Sequence, residues 1–200
     1  MREKGYNTSL NSCGFRFSEI KIVANLKAKG FSEAEAKEKI FKENLFQQKE
    51  TSTQRIIDIL FSRVKVLDAK LLDYLINGNV DLAKEVNFYS ILKTDQLFFE
   101  FMQEVIAPKL NGGVKLLEKK DLNAFFRKKA EYNPKVAKWS ESTVKRLKGG
   151  YKSLLYAMDY LNKGNKGKDK GKLNKIFISS LLKEHLHELN EDIYLKAMGA

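Results

Sequence analysis

Proline is almost absent from this chain, and that shapes everything it can become. Only Pro108 and Pro134 occur in 200 residues. Proline fixes φ and removes an amide donor, so its scarcity leaves long stretches free to be helical. The apolar residues use that freedom at helical spacing. Ile56, Ile57, Leu60, Val64 and Leu67 recur at three- and four-residue steps, as do Leu82, Ala83, Val86, Tyr89 and Leu92. Leu97, Phe98, Phe101, Met102 and Val105 follow a candidate cap at Asp95 and stop before Pro108. Ser32 with Glu35 forms a capping-box sequence, Ser18 is a candidate cap for a helix ending near Gly30, and Thr51 or Ser52 starts the helix carrying Ile56. Gly78 ends a short helix begun near Lys70. The pattern predicts an all-α, mainly helical protein built as a compact bundle, with an antiparallel N-terminal bundle over residues 1–110.

Asn111-Gly112-Gly113 is the strongest internal break and opens a second region, 111–200. Charge changes there too. From Lys109 to Lys175 there are 19 Lys/Arg against 6 Asp/Glu, a net of +13; the remainder holds 18 against 19, a net of −1. The whole excess lies in one third of the sequence. Solubility alone would spread it, whereas a concentrated field attracts a polyanion. Hydrophobic residues make up 43%, so this charge sits on a globular chain and not on a disordered one.

Within the basic region, Leu122, Phe125 and Phe126 mark a helix that Asn133-Pro134 ends. A short helical piece, Lys135 to Trp139, precedes Ser140. That serine caps a long helix with Val144, Leu147, Tyr151, Leu154, Leu155, Met158 and Leu161 as its stripe. Gly149-Gly150 in its middle costs about 1 kcal/mol per glycine relative to alanine, and predicts a close contact or a kink. Five lysines and three glycines then crowd residues 162–172. Ile176, Phe177 and Ile178 are a candidate strand, and Ser179 or Ser180 begins the last helix.

Helix, short helix, turn, long helix, lysine-rich loop and strand is the order of a winged helix-turn-helix, whose second helix enters the major groove. Ser142, Thr143, Lys145, Arg146, Lys148 and Lys152 would then supply donors to phosphates and bases. Lys163, Lys166, Lys168, Lys170 and Lys172 would form a wing lying along the backbone, releasing counterions on binding. The aromatics Phe98, Phe99, Phe101, Phe125 and Phe126 have core spacing. Trp139, Tyr151 and Tyr156 fall among the basic residues, with Tyr151 on the apolar stripe, which favours duplex over single strands. The alternative use of the same basic face is to dock an acidic protein.

Catalytic signals are weak. His185 and His187 are two apart on a predicted helix and point to different faces, so they cannot share a metal there. The stretch Gly167 to Lys172 has the wrong spacing for a phosphate loop, with Leu173 where a serine or threonine would bind magnesium. A metal-dependent nuclease with dispersed acids is left as a minor alternative, and no enzyme activity, metal or cofactor is predicted. Cys13 is the single cysteine, so a reducing cytoplasm is expected. No signal peptide is read at the N-terminus, and no stretch approaches the ~18 apolar residues of a membrane span.

Three stretches resemble the BrxA family, small proteins of bacterial BREX phage-exclusion systems. They are Tyr6 to Phe15 followed by Glu19; Ile40 to Lys49 continuing through Thr53, Arg55, Arg63 and Leu67; and Trp139-Ser140-Glu141-Ser142-Thr143 with the helix after it. Cys13 stands where the family has a glycine, and the loop at 163–172 is more lysine-rich than the family's. The resemblance implies a non-enzymatic, DNA-binding component of a multi-protein defence system; the expectation of double-stranded DNA comes from the aromatic pattern above. The resemblance also implies a NusB-like helical bundle, and partners among the other BREX proteins: a methyltransferase, an ATPase and a phosphatase-like component.

Overall fold

A computed structural model of the chain describes residues 5–113, 115–162 and 171–200. The fold is all-α, as predicted: among the described residues, extended pairing is limited to two isolated antiparallel bridges. The chain divides into two units. One is Ser12–Thr94; the other joins the N-terminal arm through Asn11 to Asp95–Ala200. The units part at Thr94, earlier in the chain than the Asn111-Gly112-Gly113 break.

The first unit contains α1 (Phe17–Ala28), α2 (Glu33–Lys42), α3 (Glu50–Lys65), α4 (Ala69–Asn77) and α5 (Val80–Thr94). Local chemistry sets their starts. The Ser32–Glu35 capping box forms, Asp68 accepts the Leu71 amide at 2.8 Å, and Asn79 accepts that of Leu82 at 2.9 Å. Two expected starts move by a residue or more. α1 begins at Phe17, after Arg16 takes a left-handed turn (φ 45°) and pairs with Glu19 at 2.8 Å. α3 begins at Glu50, whose charge favours a helix N-terminus.

Between the arm and α1 the backbone at Cys13–Phe15 is not helical, so its carbonyls need partners. Side chains provide them. Arg63 of α3, 1% exposed, donates to the Cys13 carbonyl at 2.9 Å and the Gly14 carbonyl at 2.8 Å. Asn87 of α5 donates to the Phe15 carbonyl at 2.7 Å. Cys13 is fully buried, and burial pushes its thiol pKa up, which keeps it an inert small core residue.

The second unit contains the 3-10 turn Ser9–Asn11, then α6 (Gln96–Phe101), a π-helical turn (Met102–Ile106) and α7 (Ala107–Asn111). α8 (Lys119–Tyr132), α9 (Pro134–Ala137) and α10 (Glu141–Ala157) follow, then α11 (Ser180–Glu188) and α12 (Asp192–Met198). Asp95 caps α6 through the Phe98 amide at 2.9 Å, as its position predicts. The Tyr160 hydroxyl donates to the Met198 carbonyl at 2.7 Å and ties α12 to the chain leaving α10. The expected strand at Ile176–Ile178 does not form: Ile178 is buried while Phe177 is 82% exposed. Extended pairing lies upstream, where Lys172 bridges Leu116 and Leu173 bridges Leu161. A ladder needs backbone partners, and among the described residues from 171 to 178 only 171–174 meet them.

Arg63→Met should destabilise the protein by about 2–5 kcal/mol, since it strips buried carbonyls of their donor. Arg55→Met, on the exposed side of the same helix, should stay within about 0.5 kcal/mol. Urea denaturation of the two variants checks the contrast.

Candidate nucleic-acid interface

The site is built on α8 and α10. Five aromatic rings fix these helices to α6. Tyr151 of α10 is fully buried, with its ring 4.9 Å from Phe98, 5.1 Å from Phe101 and 5.5 Å from Phe126 of α8. Phe125 packs edge-on against Phe101 at 5.3 Å. Such contacts add to the area each ring buries. Gly150 faces the N-terminal arm, where a Cβ would come within 3.2 Å of the Leu10 carbonyl oxygen, so the close approach expected of this glycine pair is found. Gly149 faces open space.

The arm is held on the same framework. Ser9 donates to Asp95 at 3.3 Å and Tyr6 to Glu100 at 2.6 Å. Lys129 of α8 is paired with both Glu100 and Glu104. Burial alone would raise the Glu100 pKa, but hydrogen bonds from Lys129, Tyr6 and Gln96 outweigh it and hold the carboxyl below its ordinary value. Burial and the neighbouring Glu100 carboxylate push the Tyr6 phenol up to about 12.

Between α8 and α10 lies a cleft of about 710 Å³. Lys119, Lys145, Lys148 and Lys152 line it, together with Asn123 and Trp139. Leu122, Val144 and Gly149 supply its apolar part, and Glu141 is the one carboxylate among the described lining residues. Lys148 donates to Asn123 at 2.8 Å and stands 5.5 Å from the Phe126 ring centre. Burial first, and the charge of Lys119 second, lower its pKa. Lys119, Lys145 and Lys152 make no ion pair with any described residue. A second cleft, of about 790 Å³, differs in its charge: its Lys109 pairs with Asp121 at 3.1 Å and its Lys128 with Glu104 at 3.2 Å.

The structure sorts the residues expected to bind nucleic acid. Lys145, Lys148 and Lys152 share the flank of α10 that faces the cleft, while Arg146 is exposed and does not line it. Ser142 and Thr143 belong to the helix cap: the Ser140 hydroxyl lies 3.0 Å from the Ser142 hydroxyl and 2.9 Å from that of Thr143, and accepts the Thr143 amide at 3.2 Å. Lys172 is exposed at the Leu116 bridge. Lys163, Lys166, Lys168 and Lys170 lie outside the described residues. Lys119 and Asn123 were not expected at the site; their three- and four-residue spacing with Phe126 was the only available signal. Among the described residues no group of three or more His, Cys, Asp or Glu side chains could hold a metal, and no helix is long and apolar enough to cross a membrane.

The family model described as BrxA matches residues 4–190. A BREX protein BrxA of Bacillus cereus is 36% identical over 98% of this chain and 96% of its own length. A BREX protein BrxA of Paramagnetospirillum magneticum is 20% identical over 99% of this chain and 98% of its own. The crystal structure of an uncharacterized protein from Magnetospirillum magneticum shares the fold, with a TM-score of 0.84 at 19% identity, covering 96% of this chain and 97% of that one.

Glu100→Gln tests the frame under α8. A carboxyl held below its ordinary value of 4.5 contributes stability above that pH and loses it as pH falls through the folded value. The variant should be less stable than wild type at neutral pH, and the gap should narrow progressively below pH 4.5. Thermal melts across an acid pH series measure it.

Proposed function

The chain belongs to the BrxA family, and from that premise we propose that it is the non-enzymatic DNA-binding component of a bacterial BREX phage-defence system. It holds duplex DNA largely through phosphate contacts from its basic C-terminal face. One observation carries the reading: Lys119, Lys145 and Lys152, unpaired with any described residue, gather with Lys148 around one cleft inside the +13 segment. Ammonium groups without carboxylate partners are available to displace counterions from a phosphate backbone. The succession α8, α9, α10 and the bridged residues 172–173 supports a winged helix-turn-helix arrangement, with the start of α10 as the groove-reading element. Arg146, Ser142 and Thr143 serve this reading from the outer side of α10, and Lys172 from the Leu116 bridge. The protein works in the cytoplasm alongside the other BREX components.

A second reading is a docking scaffold for those components, a methyltransferase, an ATPase or a phosphatase-like protein. It is favoured by Phe177 and Leu181, which are 82% and 49% exposed next to Lys183. Isolated apolar side chains are common on surfaces, so this observation weighs less than the lysine cluster.

Gel-shift titration with duplex, single-stranded DNA and RNA at several salt concentrations separates the two. Duplex should bind best, with affinity falling steeply in salt. Lys145→Glu with Lys152→Glu should weaken binding and reduce the slope of log K against log salt by ~0.9 for each phosphate no longer neutralised. Arg146→Glu should reduce it by the equivalent of one phosphate. Wild-type affinity and slope in all these variants would remove the site. No binding to naked DNA, with a pull-down of BREX partners that survives nuclease, would leave the scaffold.

A further inference from the structure

The α8–α10 cleft has more than charge. Duplex phosphates need only exposed cations, yet here four lysines surround a concave surface that also presents an indole and aliphatic side chains. Trp139 is half-buried, Leu122 and Val144 are apolar, and Gly149 leaves open space where any other residue would place a side chain. We propose that this cleft binds a single nucleotide unit, an aromatic base joined to phosphate. The base is either an unpaired one drawn from a nucleic-acid strand or that of a free nucleotide. The inference rests on the nucleic-acid reading of the same face and narrows what the cleft accepts.

The lining is polarised in a way that orients such a ligand. Glu141 opens α10 beside Trp139, and Lys152 lies roughly 16 Å further along the helix axis at 1.5 Å per residue. Phosphate is repelled from the Glu141 end and drawn to Lys145, Lys148 and Lys152. The base therefore lies toward Trp139, where it stacks on or packs against the indole, and toward Glu141, whose carboxylate accepts a hydrogen bond from an exocyclic amino group. Lys148, already bonded to Asn123 and set over Phe126, is a fixed cation rather than a mobile one. The neighbouring cleft at Lys109 and Lys128 is a natural contrast: it is as large, but its cations are neutralised by Asp121 and Glu104, so it offers no phosphate subsite.

Trp139 is the one tryptophan in the chain, so its emission reports on the cleft directly. The full-length protein is titrated with ATP, with tripolyphosphate, with a fully paired duplex, and with the same duplex carrying one unpaired adenine. Saturable quenching by ATP or by the bulged duplex, absent with tripolyphosphate and with the paired duplex, is the expected result. Response to the bulged duplex alone assigns the strand as source; response to ATP alone assigns a free nucleotide. Lys145→Glu with Lys152→Glu should weaken the quenching titration about tenfold or more. Equal quenching by tripolyphosphate or by the paired duplex overturns the nucleotide site, as does unchanged affinity in the double variant. No emission change with any ligand, while the paired duplex still shifts in a gel, overturns the cleft proposal and leaves the duplex reading standing. Failure of every ligand to bind by either readout removes both.

Discussion

The orientation of α10 about its own axis is the constraint on which the basic site depends, and Tyr151 sets it. Its buried ring meets Phe98, Phe101 and Phe126, so Leu147, Leu154 and Leu155 must turn inward with it. A helix has 3.6 residues per turn, and once that stripe is buried the other positions have no freedom left. Lys145, Lys148 and Lys152 fall on the flank toward α8, and Arg146 on the other side. Burial raises the Tyr151 phenol pKa well above its ordinary value, so the residue orients the lysines through packing and stays neutral. A rotation of one residue, about 100°, would carry the three lysines together off the flank that faces α8.

The unit at Ser12–Thr94 is held by a different kind of interaction. Its helices could pack on apolar contacts alone, but the non-helical stretch Cys13–Phe15 brings in carbonyls that must be satisfied, and Arg63 and Asn87 do so. Apolar packing tolerates exchange among residues of similar volume, whereas a buried guanidinium aimed at two carbonyls tolerates none. Specificity of the two units therefore has separate origins, ring geometry in one and hydrogen-bond geometry in the other.

Helix existence, type and most caps were legible because they are local: Ser32 with Glu35, Asp95 and Ser140 each act within three residues. The family was legible in three short stretches, around Tyr6–Phe15, Ile40–Lys49 and Trp139–Thr143, and the close approach at Gly150 in the cost of a mid-helix glycine pair. Arg63 was legible in part, for it sits seven residues after Ile56 and three after Leu60, on the apolar stripe of α3. Its partners were not, since they lie about fifty residues away in a segment with no periodicity. The flank shared by Lys145, Lys148 and Lys152 follows from three- and four-residue spacing, whereas Arg146, next to Lys145 in sequence, lies about 100° round the helix from it. Ile176–Ile178 has strand composition but pairs with no described residue, a fact only tertiary structure supplies.

The lysine cluster is also a statement about cost. Like charges brought together on folding destabilise the folded state, and the lowered pKa of Lys148 reflects both its burial and the charge of Lys119. The chain shows, further along α8, how such repulsion can be relieved: Lys128 meets Glu104, and Lys129 meets Glu100 and Glu104. α8 thus carries compensated lysines toward its C-terminal end and, at its start, Lys119, which pairs with no described residue. Nothing in the folding of the helix requires that difference. Under the proposed reading, a polyanion bound after folding would relieve the repulsion at the Lys119 end, and its affinity would include the energy so released.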